Sequence, residues 1–406
     1  MRKNIQQILK KESIQSFLEL DQESKNFYNE FEKILGKSEI NILKNPEIDW
    51  KFIREKIHCV ILAITGKCNS NCNVCYVKND VFQEMSIEDI KNILKKIGKH
   101  KIVPLFGGEP TVRNDIFEII RLIRDSGNIP ELYTNGLKLA DPEYVKKLKE
   151  SGIARVHFSF DGFREEIHEK LRGDKNHLYL KLTALKNLQK FGIKTILSST
   201  IADGVNDDQV LELLRFCALS VYKREFIIGL RLFPAMPYGK FDVDVKKYLH
   251  TLDIIKILEK RTGIRREYFV EFKKFLINMN RFLKKFGLRF PIQTPGPYAV
   301  FRVDRNGIKE VIELKDLKKI NKALENYNIP LLLMFMLKNP SLFKHSIKLL
   351  NISKLREDAS EAGFLQLSIG NVCTPVTYKG LTSDTVGIQK SNPRLTFSAE
   401  SKGIEM

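Results

Sequence analysis

The sequence predicts an α/β fold: a partial (β/α)6 TIM-like barrel with an N-terminal helical segment and a C-terminal α+β extension. Between residues 57 and 234, short apolar runs alternate with helical patterns. That alternation implies parallel β/α units joined by right-handed crossovers. The runs read as apolar on both sides of the pleat, as strands covered on both faces should be. There are six of them, too few for an eightfold barrel and the right number for an open, partial one.

Residues 1–50 form the N-terminal segment and read as two amphipathic helices, about 5–20 and 24–35. The barrel spans 51–240, with strands expected at 57–64, 102–106, 131–134, 155–160, 194–200 and 227–233. Ser86 caps a helix over 87–97, with Asp89 at the box position and Gly98 as its stop. Asp115 opens a helix that ends at Gly127. Asp141-Pro142 is a cap followed by proline at the first helical position, and Gly152 closes that helix. A helix over 178–191 stops at Gly192. Asn206 caps another running to 219, with Val210, Leu213, Leu214 and Cys217 on one face. The extension, 241–406, carries helix patterns at 243–261 and 266–286. A hairpin follows, 298–303 and 308–314 around Arg305-Asn306-Gly307, and then helices at 314–326 and 329–350. From 374 the chain is polar, and irregular or paired as short strands.

The chain has 406 residues and 43% hydrophobic content, enough for a large core. No stretch of 18 apolar residues exists, so no spanning helix is expected. The longest apolar run, 329–337, reads as a buried helix, or else as a contact with lipid or an apolar substrate. The formal net charge of +19 points to an anionic partner: nucleic acid, a phosphorylated substrate or an anionic membrane surface. The lysines are spread as pairs over helices, which compositional drift also explains. No nucleic-acid-binding module is visible. The first nine residues are polar-interrupted, unlike a signal peptide, and six cysteines in so long a chain are not a secreted scaffold. Free thiols imply a reducing compartment, hence the cytoplasm, with peripheral contact to a membrane allowed.

Chemistry concentrates at the strand ends. Cys68, Cys72 and Cys75 form a C-x3-C-x2-C cluster, followed by Tyr76, in the loop after the first strand. Three thiolates can hold three irons of a cubane and leave the fourth open. A disulfide reading leaves one cysteine over, and zinc normally takes four ligands. The second strand runs into Gly107-Gly108-Glu109-Pro110, where glycines permit close backbone approach and the Glu109 carboxylate can accept from an ammonium. The third ends in Thr134-Asn135-Gly136, the fourth in Ser159-Phe160-Asp161-Gly162, and the fifth in Ser198-Ser199-Thr200. Cys59 and Cys217 read as buried residues, and His58 and His157 as core or facing-layer histidines.

These four motifs in this order resemble the radical S-adenosylmethionine superfamily, over about residues 57–235. The branches most similar are the molybdenum-cofactor cyclase and the peptide-modifying maturases. The resemblance implies that Cys68, Cys72 and Cys75 ligate one [4Fe–4S] cluster, whose open iron binds the amine and carboxylate of S-adenosylmethionine. It implies that Gly107, Gly108 and Glu109 meet the methionine ammonium, with Pro110 shaping the turn. Asn135 and Ser159 or Asp161 would lie near the ribose or carboxylate, and Ser198 or Thr200 near the methionyl end. Tyr76 and the backbone around Arg231 would pack against adenine. Arg172, in His168-Glu169-Lys170-Leu171-Arg172-Gly173, would pair with a carboxylate through its fork. The implied chemistry is reductive cleavage to a 5′-deoxyadenosyl radical that takes hydrogen from an unactivated C–H bond. A one-electron reductant of the ferredoxin or flavodoxin kind would feed it.

The maturases' cysteine-rich C-terminal extension is missing, so an auxiliary cluster is not expected; Cys373 stands alone there. The segment 233–240 and the Leu/Phe/Lys-rich stretch 314–350 are similar to the archaeal tetraether-lipid-synthase branch. The first expectation for substrate is therefore a lipid-like or apolar molecule with an anionic head. The alternatives are a peptide or cofactor precursor, and, in another class, a non-catalytic iron–sulfur scaffold.

Overall fold

The computed structural model describes residues 22–23, 26, 54–55, 58–75, 84–235, 240–285, 297–338, 363–369, 385–389 and 402–405. The expected helices before residue 50, and Tyr76 and Cys373, lie outside them. In order the chain forms β1 (Cys59–Thr65), β2 (Val74–Cys75), α1 (Ile87–Ile97), β3 (Ile102–Gly107), α2 (Ile116–Asp125), β4 (Ile129–Thr134), α3 (Pro142–Glu150) and β5 (Arg155–Ser159). Then come α4 (Glu165–Arg172), α5 (His177–Lys190), β6 (Thr195–Ile201), α6 (Val210–Tyr222), β7 (Ile227–Pro234) and β8 (Lys240–Phe241). The remainder is α7 (Thr251–Thr262), α8 (Arg266–Lys284), β9 (Tyr298–Asp304), β10 (Gly307–Glu310), α9 (Leu314–Glu325), α10 (Ile329–Lys338), β11 (Phe364–Ile369), β12 (Thr385–Gln389) and β13 (Lys402–Glu405).

All six expected parallel strands form, in the order β1-β3-β4-β5-β6-β7. The sheet continues past both edges. At β7 it adds β11 in parallel, then β9 and β10 antiparallel; at β1 it adds β12 and β13 in parallel. The expected hairpin is therefore a continuation of the barrel sheet, joined through β11, which no pattern in the sequence announced.

The strands are not apolar on both faces, and this corrects the sequence reading. The outer face is: Leu62, Leu105, Leu132, Val156, Phe158, Leu197 and Leu230 are essentially without solvent exposure. They share one core with Ile93, Ile119, Ile120, Leu188 and Leu213 of the surrounding helices. The inner face carries Glu131, Tyr133, Arg155, His157, Ser159, Ser198 and Arg231. Hydrogen bonds and ion pairs among several of these groups offset the desolvation of burying them.

Local chemistry sets the starts of α1 and α3. At α1, Asp89 N–H donates to Ser86 Oγ (3.1 Å) and Ser86 N–H to Asp89 Oδ2 (2.9 Å), a complete capping box. At α3, Glu143 N–H donates to Asp141 Oδ1 at 2.9 Å. Two expected caps serve elsewhere. Asp115 takes both of its bonds from Arg113 (2.8 and 2.6 Å). Asn206 accepts from Ala202 N–H at 2.8 Å and donates to the Asp161 and Thr200 carbonyls, so α6 starts after a 3-10 turn, Asp207–Gln209. The run expected as a buried helix is half outward: in α10, Leu332 is buried but Leu333, Met334 and Leu337 are 51%, 46% and 82% exposed. No helix among the described residues is long and apolar enough to cross a membrane.

Candidate functional site

The loop after β1 is pinned from three directions. Gly108 N–H donates to the Thr65 carbonyl and Glu109 N–H to the Lys67 carbonyl, each at 2.8 Å. Asn73 N–H donates to the Leu171 carbonyl at the end of α4 (3.0 Å), and Asp242 N–H donates to the Asn73 carbonyl (2.8 Å). Within the loop, β2 pairs antiparallel with β8, which sets Cys75 opposite Lys240. Arg113, 7% exposed, braces the base by donating to the Ile64 and Met85 carbonyls at 2.8 and 2.7 Å.

The two glycines have a concrete reason. A Cβ on Gly107, at φ +145°, would lie 2.1 Å from the Thr65 carbonyl oxygen, and one on Gly108 would lie 2.4 Å from that of Lys67. The close approach they permit is that of the cysteine loop itself.

Cys68, Cys72 and Cys75 are half-buried thiols in this loop. Burial, followed by the nearby Glu109, Cys72 and Cys75 charges, pushes the Cys68 thiol up to about 11 against an opposing backbone bond at Ser70. Ser70 Oγ lies 3.3 Å from Cys72 Sγ, and Asn135 Nδ2 lies 3.9 Å from Cys68 Sγ while donating to Asn69 Oδ1 at 2.8 Å. Among the described residues the thiols do not converge as ligands of a single ion. A cubane does not ask that of them, because each cysteine takes a different iron. The donor set of three neighbouring, partly exposed sulfurs fits such a cluster.

Glu109 departs from expectation. Its carboxylate is 1% exposed and accepts four protein bonds: Thr111 N–H (3.1 Å), the Thr111 and Thr134 hydroxyls (2.6 and 2.8 Å) and Asn135 N–H (2.6 Å). Burial pushes its carboxyl above the usual range, with those bonds opposing. With these bonds Glu109 locks the β3 and β4 loop ends together, with Pro110 starting a 3-10 turn.

Asp161 and Arg172 are corrected the same way. Arg172 makes the expected bidentate pair, but with the protein's own Asp161: Nε to Oδ2 at 2.7 Å and Nη2 to Oδ1 at 2.8 Å. Asp161 is fully buried and also accepts from Thr200 N–H (3.0 Å), so its carboxylate is not offered to a ribose. Burial pushes this carboxyl up; Arg172, helped by Lys181, overrides it and holds it well below the usual range. Arg172 further donates to Thr200 Oγ1 (3.1 Å), and the nearby Cys72 adds a smaller favourable influence on its charge. The sequence reading missed Lys181, 1% exposed on α5, whose ammonium donates to the Ser159 carbonyl at 2.8 Å. Burial pulls it down to about 8, against the opposing charge of Asp161.

Ser159 and Ser198 are half-buried neighbours in register, beside Arg231. Arg231 donates to the Tyr133 hydroxyl at 2.6 Å and lies over the Tyr133 and Phe233 rings, 5.8 and 5.0 Å from their centroids. Cys59 and Cys217 are buried, as expected.

A cysteine loop and glycine-rich turn at the C-terminal ends of parallel strands define a class, and comparison with known proteins gives the same one. A family model described as the Radical SAM superfamily matches residues 62–217. The chain belongs to the radical S-adenosylmethionine superfamily; it is an enzyme of that class, and its cofactors are a [4Fe–4S] cluster and S-adenosylmethionine. Among its relatives, the 7,8-dihydro-6-hydroxymethylpterin dimethyltransferase of Methanocaldococcus jannaschii is 37% identical over 50% of this chain and 41% of its own length. The probable GTP 3′,8-cyclase of Pyrococcus horikoshii is 31% identical over 52% of this chain and 69% of its own. The chain thus spans about two-fifths of the first relative and about two-thirds of the second. The crystal structure of Streptococcus suis SuiB is similar at TM-score 0.43 and 18% identity, over 51% of this chain and 46% of that one.

Proposed function

We propose that Cys68, Cys72 and Cys75 hold the cluster, with its open iron facing S-adenosylmethionine, and that the substrate is a small cofactor precursor. When bound, the cluster supplies the electron that cleaves S-adenosylmethionine and yields the radical that removes a substrate hydrogen. The observation that carries the reading is the loop: three thiols, braced by β3, α4 and β8, beside a turn that only glycine fits. Asn135 neighbours Cys68 and Ser70 neighbours Cys72, so two of the sulfurs have polar company within the loop. Ser159 and Thr200 line the strand ends where a methionyl or ribose group would lie, and the Arg231 segment would border adenine.

The substrate class is favoured by the relatives' names, which specify a pterin, GTP and an iron coproporphyrin, all precursors of cofactors or cofactors in the making. A peptide is the runner-up. The lipid-like reading keeps one observation, the outward Leu333, Met334 and Leu337 of α10. The net charge of +19 suits an acidic one-electron donor.

Anaerobic reconstitution tests the reading. About four irons per chain, and 5′-deoxyadenosine on reduction, are expected. Changing Cys68, Cys72 or Cys75 to Ala should abolish both. Loading without deoxyadenosine would favour a scaffold role, and eight irons would refute a single cluster.

A further inference from the structure

The inner face of the barrel holds polar atoms that the cofactor reading does not use. Register sets Glu131 beside Arg155 and Tyr133 beside His157. Arg155 precedes Ser159 by four residues on the same face, about 13 Å along the strand from the cofactor end. Both residues lean on one carboxylate: Arg155 Nε lies 3.7 Å from Glu131 Oε1, and His157 Nε2 lies 3.0 Å from Oε2.

That contact fixes the imidazole. A ring nitrogen bonded to a carboxylate carries the proton, so in the neutral ring Nδ1 is a bare acceptor. Burial, then the Arg231 and Arg155 charges, keeps the ring neutral by holding its pKa well below the usual value. Nδ1 sits on the ring edge away from Nε2, so it faces away from Glu131. Arg155 Nη2, His157 Nδ1 and Ser198 Oγ are all buried with no hydrogen-bond partner among the described residues. Arg155 and His157 are only 4% and 6% exposed. Buried polar groups are rarely left this way, and three on one wall point to a ligand.

We propose that Arg155, His157 and Ser198 form a substrate-recognition site for a planar heterocycle that presents an N–H next to a carbonyl. This rests on the reading of the substrate as a cofactor precursor and deepens it. Arg155 supplies a donor for the carbonyl, and His157 Nδ1 an acceptor for the N–H. An anion would suit Arg155 but would meet the bare lone pair of His157. Tyr133, stacked on His157 (4.1 Å, 4°) with Phe106 edge-on (6.0 Å), holds the plane of the imidazole in place. Ser198, at the level of Ser159, can donate to or accept from a third polar atom nearer the cofactor.

The test uses the full chain, with and without reconstituted cluster, and equilibrium dialysis. Uridine is the probe, because its ring N–H lies between two carbonyls. 3-Methyluridine, which lacks that N–H, and inorganic phosphate are the comparators. Uridine should bind about tenfold or more tighter than 3-methyluridine, the loss typical of an unmade buried bond. His157→Phe keeps the stacked ring but lacks Nδ1, and should erase that preference. Arg155→Lys keeps the charge beside Glu131 but lacks the fork, and should weaken uridine about tenfold. Equal binding of uridine and 3-methyluridine, unaltered preference in both variants, or phosphate displacing uridine would each overturn the proposal. Should His157→Phe fail to fold by circular dichroism, the wild-type comparison and Arg155→Lys decide. A wild type that loads iron and cleaves S-adenosylmethionine but shows no uridine preference overturns this inference alone. Failure to load iron overturns the cofactor reading, while uridine binding is still read on the same chain.

Discussion

Asp161 and Arg172 carry the tightest constraint at the residue scale. Asp161 is fully buried and Arg172 nearly so, each answers the other bidentately, and the pair ties the end of β5 to α4 and β6. Removing one member leaves a buried charge without its partner. Asp161→Asn is therefore expected to lose about 3–5 kcal/mol in urea denaturation. The pH dependence follows from the direction of the shift. The folded carboxyl titrates below its unfolded value of about 3.9, so the stabilisation is complete above that value and fades as pH falls further. The gap between wild type and Asp161→Asn should hold from pH 8 to 5 and narrow below about 4; a gap unchanged at pH 2.5 would contradict it. Gly108 makes a second residue-scale case. Gly108→Ala would press a methyl group into the Lys67 and Gly66 carbonyls, at 2.4 and 2.6 Å. The loop must shift, and iron per chain after reconstitution should drop to well under half of wild type. Wild-type loading would show that the loop has slack.

At the element scale, helix starts tell where local sequence decides and where tertiary demand overrides it. The capping box at α1 was legible because Ser86 and Asp89 satisfy one another within a single turn. Ser86→Ala should cost about 1 kcal/mol, seen as a lower denaturation midpoint at unchanged m-value. Asp115 and Asn206 have the same chemistry, but Arg113, itself anchored on the Ile64 and Met85 carbonyls, claims the side chain of Asp115, and the Asp161 and Thr200 carbonyls claim that of Asn206. The same distinction governs the site. Cys68, Cys72, Cys75 and Gly107-Gly108 were readable because their spacing is local. The roles of Glu109 and Asp161 were not, because a carboxylate that faces a ligand and one that ties two loops together look alike in sequence. The Glu131–Arg155–His157 cluster was hidden for another reason. Its residues alternate with Leu132, Val156 and Phe158, and the helix-facing set dominated the pattern.

For the whole molecule, the sheet explains why the extension belongs to the barrel. β11 fills the hydrogen-bonding edge of β7, and α8 packs Tyr268 and Phe269 against Phe301 of β9. A chain ending at residue 285 would leave β7 as an open, apolar edge. It is expected to elute as aggregate in size-exclusion chromatography where the full chain does not; a well-behaved truncated protein would mean β11 is dispensable. The six central strands could be foreseen because they are consecutive. β11 could not, since it lies about 130 residues beyond its partner and carries no local mark of that pairing. The cysteine loop has a long-range tie of its own. Its last cysteine pairs with Lys240, and Asn73 is held by Asp242. During synthesis the three thiols leave the ribosome some 165 residues before that brace exists. A nascent chain would thus carry the thiol loop on its β3 and α4 ties alone through most of barrel assembly, and the β8 brace is the last of the three to form.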